Sequence, residues 1–183
     1  MRGLRGQAGY SLADLLVATA VMGVLMSATL SLLQSGFAAW GWGAGRVEAQ
    51  QATRVALERM ARELREAGYD PTGAGIEAVL VAEPARIVFQ RDLNGNGVID
   101  PTRERVTYLL RPGETTLRRD AGGGAQPLAE SVRRFALSYL DGSGAPTADP
   151  LQVASVRIEI EAGRVGAEAT MSTMVTLRNV SIW

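Results

Sequence analysis

Between Arg91 and Pro101 the chain reads RDLNGNGVIDP, which sets Asp92, Asn94, Asn96 and Asp100 at alternating positions around Gly95 and Gly97. A loop of the EF-hand type surrounds a hard cation with side-chain oxygens at positions one, three and five, a glycine at six, a backbone carbonyl at seven and a further acid or water at nine. Counted from Asp92, the carbonyl is that of Val98 and the ninth position is Asp100. Position twelve is Arg103 where a bidentate acid belongs, and Glu104 comes one place late. The cation implied is Ca²⁺, held in the weak range of about 10⁻⁴ to 10⁻³ M typical of extracellular modules. The same composition also makes a plain Asn-Gly hairpin turn between strands starting at Arg86 and Arg105, and both readings stand.

Little else in the chain is built for catalysis. There is no His and no Cys among the 183 residues, which excludes imidazole-based triads, thiol nucleophiles, the usual structural zinc sites and any disulfide framework. Every basic residue is Arg, which does not deprotonate in proteins and so is a poor general base. Glu159 and Glu161 share one strand face and are expected to face solvent rather than to form an acid pair. The expectation is a protein that is not an enzyme. A formal net charge of zero gives no electrostatic footprint for nucleic acid, so no direct nucleic-acid contact is expected.

The remaining chemically pointed residue is Asp14, which stands at the edge of a long uncharged run. Arg2 and Arg5 are the only charges before Gly9, and after Asp14 none appears until Arg46. A helix needs about 20 mostly apolar residues to cross a bilayer, and Leu15 to Leu33 nearly supplies them. A secretory signal would end its apolar core after roughly 7–15 residues and then present a small-residue cleavage site, whereas here the small residues Ala8 and Gly9 come first. Arginines on the N-terminal side orient the span with its leader in the cytoplasm. An ionised side chain costs about 2.5–3.5 kcal/mol at the centre of such a helix and less near the interface. Asp14 therefore calls for a partner, or else for a place in the headgroup region or at the helix cap.

Gly9-Tyr10-Ser11-Leu12-Ala13-Asp14-Leu15-Leu16 resembles the class III signal of type IV prepilins and type II secretion pseudopilins. The resemblance implies cleavage between Gly9 and Tyr10 by a membrane prepilin peptidase and methylation of the new amine on Tyr10. Asp14 becomes the fifth residue of the mature chain, where the family usually has Glu, and its implied partner is the α-amine of an adjacent subunit. The segments ALERMARELREAGYD (56–70), VRRFALSYLDGSG (132–144) and STMVTLRNV (172–180) are similar to those of PilW-type minor pilins and J-type (GspJ-like) pseudopilins. That likeness implies a minor subunit that primes or sits near the tip of a type IV pilus or secretion pseudopilus. Its partners would be other minor subunits, the filament subunit and the peptidase. It would sit in the inner membrane with an outward head, and in a periplasmic or cell-surface filament after assembly. The alternative is a membrane-tethered surface binding module that does not polymerise. A DNA-uptake pilus component is a third possibility, one that the neutral charge does not favour.

Positioning these residues requires a helix and a sheet. No proline occurs between Tyr10 and Tyr69, so one long helix is allowed, with Gly36, Gly41, Gly43 and Gly45 as soft spots and Trp40 and Trp42 as an interfacial belt. Ala49, Ala52, Ala56, Met60 and Leu64 form an apolar stripe widened by Val55, Leu57 and Ala67. Arg59–Glu63 and Arg62–Glu66 are expected as solvated pairs on the other face, and Gly68 and Pro71 as the stop. Strands are predicted at 76–81, 86–90, 105–111, 115–119, 135–140, 153–161 and 169–178. The expected fold class is α+β, a pilin-like long N-terminal helix packed on a mostly antiparallel sheet head. The segments are a leader (1–9), a transmembrane or filament-core helix (10–35), its continuation into the head (36–69) and a β-rich head (70–183).

Overall fold

The computed structural model describes residues 11–166 and 168–180. A single helix, α1 (Leu12–Arg65), is followed by β1 (Val79–Glu83), β2 (Arg86–Gln90), β3 (Arg105–Leu109), β4 (Leu117–Asp120), β5 (Gln126–Ala129) and β6 (Val132–Leu140). A short 3₁₀ turn at Pro150–Gln152 precedes β7 (Ser155–Ala162) and β8 (Ala169–Thr176). All neighbouring strands pair antiparallel, in a five-stranded sheet ordered β1-β2-β3-β4-β5 and a three-stranded sheet ordered β6-β7-β8. This is the α+β class expected, with the strands divided between two sheets.

The chain separates into two compact units, residues 1–43 and 44–183. In the first, every described residue from Ser11 to Gly43 is exposed, including Leu12, Leu16, Met22, Leu32 and Trp40. The glycines beyond Leu33 do not interrupt the helix. Four hydroxyls in this apolar stretch bond back to carbonyls one turn earlier: Thr19 to Leu16, Ser27 to Val24, Thr29 to Leu25 and Ser35 to Ser31. An unsatisfied hydroxyl in hydrocarbon costs several kcal/mol on the order of 2–7, so the back-bonding lets these residues sit in an apolar medium. Among the described residues α1 is the one helix long and apolar enough to cross a membrane.

The second unit carries the core. Ala56, Met60 and Leu64 of α1 are fully buried in one cluster with Ile87, Phe89 and Tyr108 of the larger sheet and Ile158 and Ile160 of the smaller. The Phe89 and Tyr108 rings stack with centroids 6.1 Å apart. The buried stripe of α1 keeps the expected Ala49, Ala56, Leu57, Met60 and Leu64 and widens on the side of Thr53 and Ala61, while Val55 is 63% exposed. The stripe follows i, i+3, i+4 spacing through 49, 53, 56, 57, 60 and 64, and Val55 falls outside that arc. The two sheets meet where the Leu137 N–H donates to the Pro84 carbonyl and the Tyr139 hydroxyl donates to the Glu83 carbonyl at 2.7 Å.

Strand boundaries differ from the sequence expectation mainly at the edges. β1 starts at Val79 rather than 76, β6 starts at Val132 rather than 135, and β5 was not expected at all. β5 is four residues long and contains Pro127, so it lacks the alternation and β-branching that mark a strand. The helix ends at Arg65, and Gly68 turns the chain with φ +73°. A side chain is barred there, because a Cβ would stand 2.6 Å from the Asn179 carbonyl oxygen.

Candidate functional site

Three groups of residues concentrate the polar chemistry of the described chain. The first is the start of α1. Ser11 precedes the helix, and its Oγ accepts from the Ala13 N–H at 3.1 Å, while Asp14 Oδ2 accepts from the Ser11 N–H at 3.0 Å. This is a reciprocal capping box, with Ser at the cap and an acid three residues on, and it satisfies two of the donors that a helix start leaves bare. In a single chain the Asp14 carboxylate thus has a bonding partner of its own, and it remains exposed. Gly9 and Tyr10, the expected processing residues, lie outside the described residues.

The second group is the β2–β3 connection, residues 91–104. Asp92 is fully buried and accepts three backbone hydrogen bonds, from Gly95 and Asn96 on Oδ1 and from Gly97 on Oδ2 at 2.8 Å. Asn94 Oδ1 accepts from the Asn96 N–H, Asn96 Oδ1 from the Val98 N–H, and Asp100 Oδ1 from the Thr102 N–H and hydroxyl. The Thr102 hydroxyl and N–H, with the nearby Arg103 charge, hold the Asp100 carboxyl below the usual carboxylate range. Glu104, 2% exposed, turns back into the loop and accepts from Leu93 and Asn94 on Oε1 and from Asp100 on Oε2. Two buried carboxylates therefore organise six backbone N–H groups of one loop.

The connection is an antiparallel hairpin closed by Gln90 opposite Arg105, but it is far longer than an Asn-Gly turn. Asp92, Asn94, Asn96, Val98 and Asp100 stay within the one loop, and Glu104 supplies an acid at its closing end. Among the described residues no Arg is ion-paired with Asp92, Asp100 or Glu104. No cluster of three or more acidic side chains converges in metal-ligand geometry among them either. By donor chemistry the set fits a hard cation, since it is made of carboxylate, amide and carbonyl oxygens. Glu104, the acid one place past the twelfth position, closes the loop directly before β3.

The third group joins α1 to the larger sheet. Glu63 is 9% exposed and sits under three donors: Tyr108 Oη at 2.7 Å, Arg119 Nε at 2.9 Å and Arg59 Nε at 3.2 Å. Burial pushes the Glu63 carboxyl up, but the bonds from Arg119 and Tyr108, aided by Arg119's charge, outweigh it and hold the group below the usual range. Burial, together with the Glu63 carboxylate, drives the Tyr108 hydroxyl well above its ordinary value. The expectation that this helix face is solvated is therefore corrected. Glu63 is buried against β3 and β4, and Glu66 pairs with Arg91 of the loop instead of Arg62. Helical spacing alone could not show that the larger sheet and its β2–β3 loop supply arginines to a second face of α1.

Glu159 and Glu161 lie on β7 opposite Ala136 and Arg134, and Glu159 pairs with Arg134 at 3.2 Å. No family model matches this chain, and no curated protein matches it in sequence.

Proposed function

We propose that the chain is a minor pilin or pseudopilin, a membrane-anchored subunit that primes or caps a type IV pilus or type II secretion pseudopilus. The observation that carries this reading is the division of labour along α1. Its first part is uncharged from Leu15 to Gly45, apolar and exposed as far as Ala44, and its last turns are the spine of a β-rich core. A helix of this kind suits two media in turn, the bilayer and then the bundled helices of a filament, while the globular unit engages neighbouring subunits. The inner membrane, the prepilin peptidase, other minor subunits and the filament subunit are the partners this reading requires. Its work is structural rather than catalytic.

The test is mass spectrometry of the N-terminus of the protein recovered from membranes. A chain beginning at a methylated Tyr10 is the expected result. A chain retaining Met1, or cut beyond Asp14, would leave a tethered binding module that does not polymerise as the better reading.

The 92–104 loop belongs to the same proposal as a weak Ca²⁺ site that stiffens the globular unit outside the cell. The observation favouring it is Glu104, a buried carboxylate at the closing end of the loop that accepts from the Leu93, Asn94 and Asp100 N–H groups and adds a second negative charge beside Asp92 in one oxygen-rich loop. Asp92, Asn94, Asn96, Asp100 and the Val98 carbonyl would hold the ion. Calorimetry on the full chain in detergent should give a dissociation constant of about 10⁻⁴ to 10⁻³ M, with the heat abolished in Asp92→Ala and weakened in the less buried Asp100→Asn. Absence of any calcium heat in the native chain would refute the site.

A further inference from the structure

We propose that the outer edge of β8 pairs with the same edge of a second copy of this chain, extending the three-stranded sheet across a two-fold axis at Thr173. β8 is the terminal strand of its sheet, bonded only to β7. The Leu177 N–H donates to Ala154, the residue directly opposite it, which fixes the phase of the ladder. Hydrogen-bonded pairs alternate along an antiparallel ladder, so Thr170, Ser172, Met174 and Thr176 direct their N–H and C=O groups away from β7. These four residues are all exposed, and among the described residues their N–H groups make no backbone hydrogen bond outside the β7–β8 ladder.

Other strands at the sheet edges carry protection that β8 lacks. β5 is short and contains Pro127, with a register shift against β4. β1 is bulged between Val79 and Val81 and ends on Glu83. β6 is bulged near Val132 and bears Arg133 and Arg134. Proline, bulges and edge charges are the usual means of preventing strand addition. β8 has no charge, no proline and no register shift over eight residues.

What favours a second copy over another protein is the strand's own symmetry. About Thr173, Thr170 faces Thr176, Met171 faces Val175, and Ser172 faces Met174. Pairs of Thr with Thr and of apolar with apolar side chains are favourable across an antiparallel ladder, and no like charges meet. All four outward residues are used in this register, and each exchanges two bonds with its opposite number, about eight in all. A strand so paired has no exposed edge left, so the assembly closes at two copies.

The absence of native cysteine makes the register directly readable. Thr173 would face its own copy in a non-hydrogen-bonded pair, about 4.5 Å between Cα atoms and within disulfide reach. Ser172 would lie diagonal to its own copy at about 7–8 Å, beyond comfortable bridging. Full-length Thr173→Cys, oxidised in detergent micelles or native membranes, should run as a disulfide-linked dimer, at least about fivefold more abundantly than Ser172→Cys. Adding Ser172→Lys and Met174→Lys to Thr173→Cys sets lysines against each other and should abolish the dimer, with the far-UV circular dichroism unchanged. A monomer under full oxidation overturns the proposal and leaves the edge to a different protein. Equal crosslinking of Thr173→Cys and Ser172→Cys overturns it as mere collision.

Discussion

Glu63→Ala should destabilise the globular unit by about 3–5 kcal/mol, the range found when one partner of a buried ion pair is removed. The substitution leaves the Arg119 guanidinium, whose side chain is 19% exposed, without its carboxylate, and the Tyr108 hydroxyl without its acceptor. Chemical denaturation followed by circular dichroism measures the loss. Glu63→Gln keeps the shape and an acceptor for Tyr108 but not the charge, so it should cost less than alanine. The acid dependence follows from the depressed carboxyl. A group whose folded pKa lies below its unfolded value contributes stability that is fully present above the unfolded value, about 4.3 for a glutamate. That contribution is lost as pH falls through the folded pKa. Between neutral pH and the unfolded value of about 4.3, native protein and Glu63→Gln should differ by a constant amount, and below it the difference should shrink. A difference that grows on acidification would contradict the assignment.

The second large effect concerns assembly and separates two roles for Asp14. If the carboxylate serves only as the far half of the capping box, Asp14→Asn should be tolerated, because an amide oxygen still accepts the Ser11 N–H. Ser11→Ala should then be the damaging change, by about 0.5–2 kcal/mol of local helix stability. If the charge pairs with the amine of a neighbouring subunit, Asp14→Asn should abolish incorporation into filaments, leaving membrane insertion intact, while Ser11→Ala assembles. The expected result under the proposed function is the second pattern. Filament fractions probed for this subunit, beside membrane fractions, give the readout. Asp14→Glu should restore assembly in the same assay, since it keeps the charge.

These residues also show how far the sequence could be read. The helix was legible end to end because an uncharged run and the absence of proline leave few other conformations. Alternation in VRIEIEA announced β7, and RIVFQ announced β2 within its observed bounds. Glu63 was misread because i, i+4 spacing to Arg59 describes a surface pair equally well. Only the pairing of β3 with β4, which brings Tyr108 opposite Arg119, shows that both reach the helix. β5 escaped notice because its pairing is imposed by the neighbouring strand rather than by its own composition. Glu104 is visible in the sequence as an acid one place late, but spacing does not show that its carboxylate is buried and turned back onto the Leu93, Asn94 and Asp100 N–H groups.

The last turns of α1 and the residues directly after it are fastened at separate points. Glu63 bonds to Arg119 of β4, Glu66 to Arg91 of the loop, the Gly68 N–H to the Gln90 carbonyl, and the Ala67 carbonyl accepts from Asn179 beyond β8. A pull applied along the helix would therefore load several attachments at once instead of peeling them in sequence. Parallel loading raises the force needed for rupture and makes the lifetime under tension depend on the unfolding rate rather than on equilibrium stability. The fold thus gives α1 the mechanics of a tie-rod, with its end anchored across both sheets.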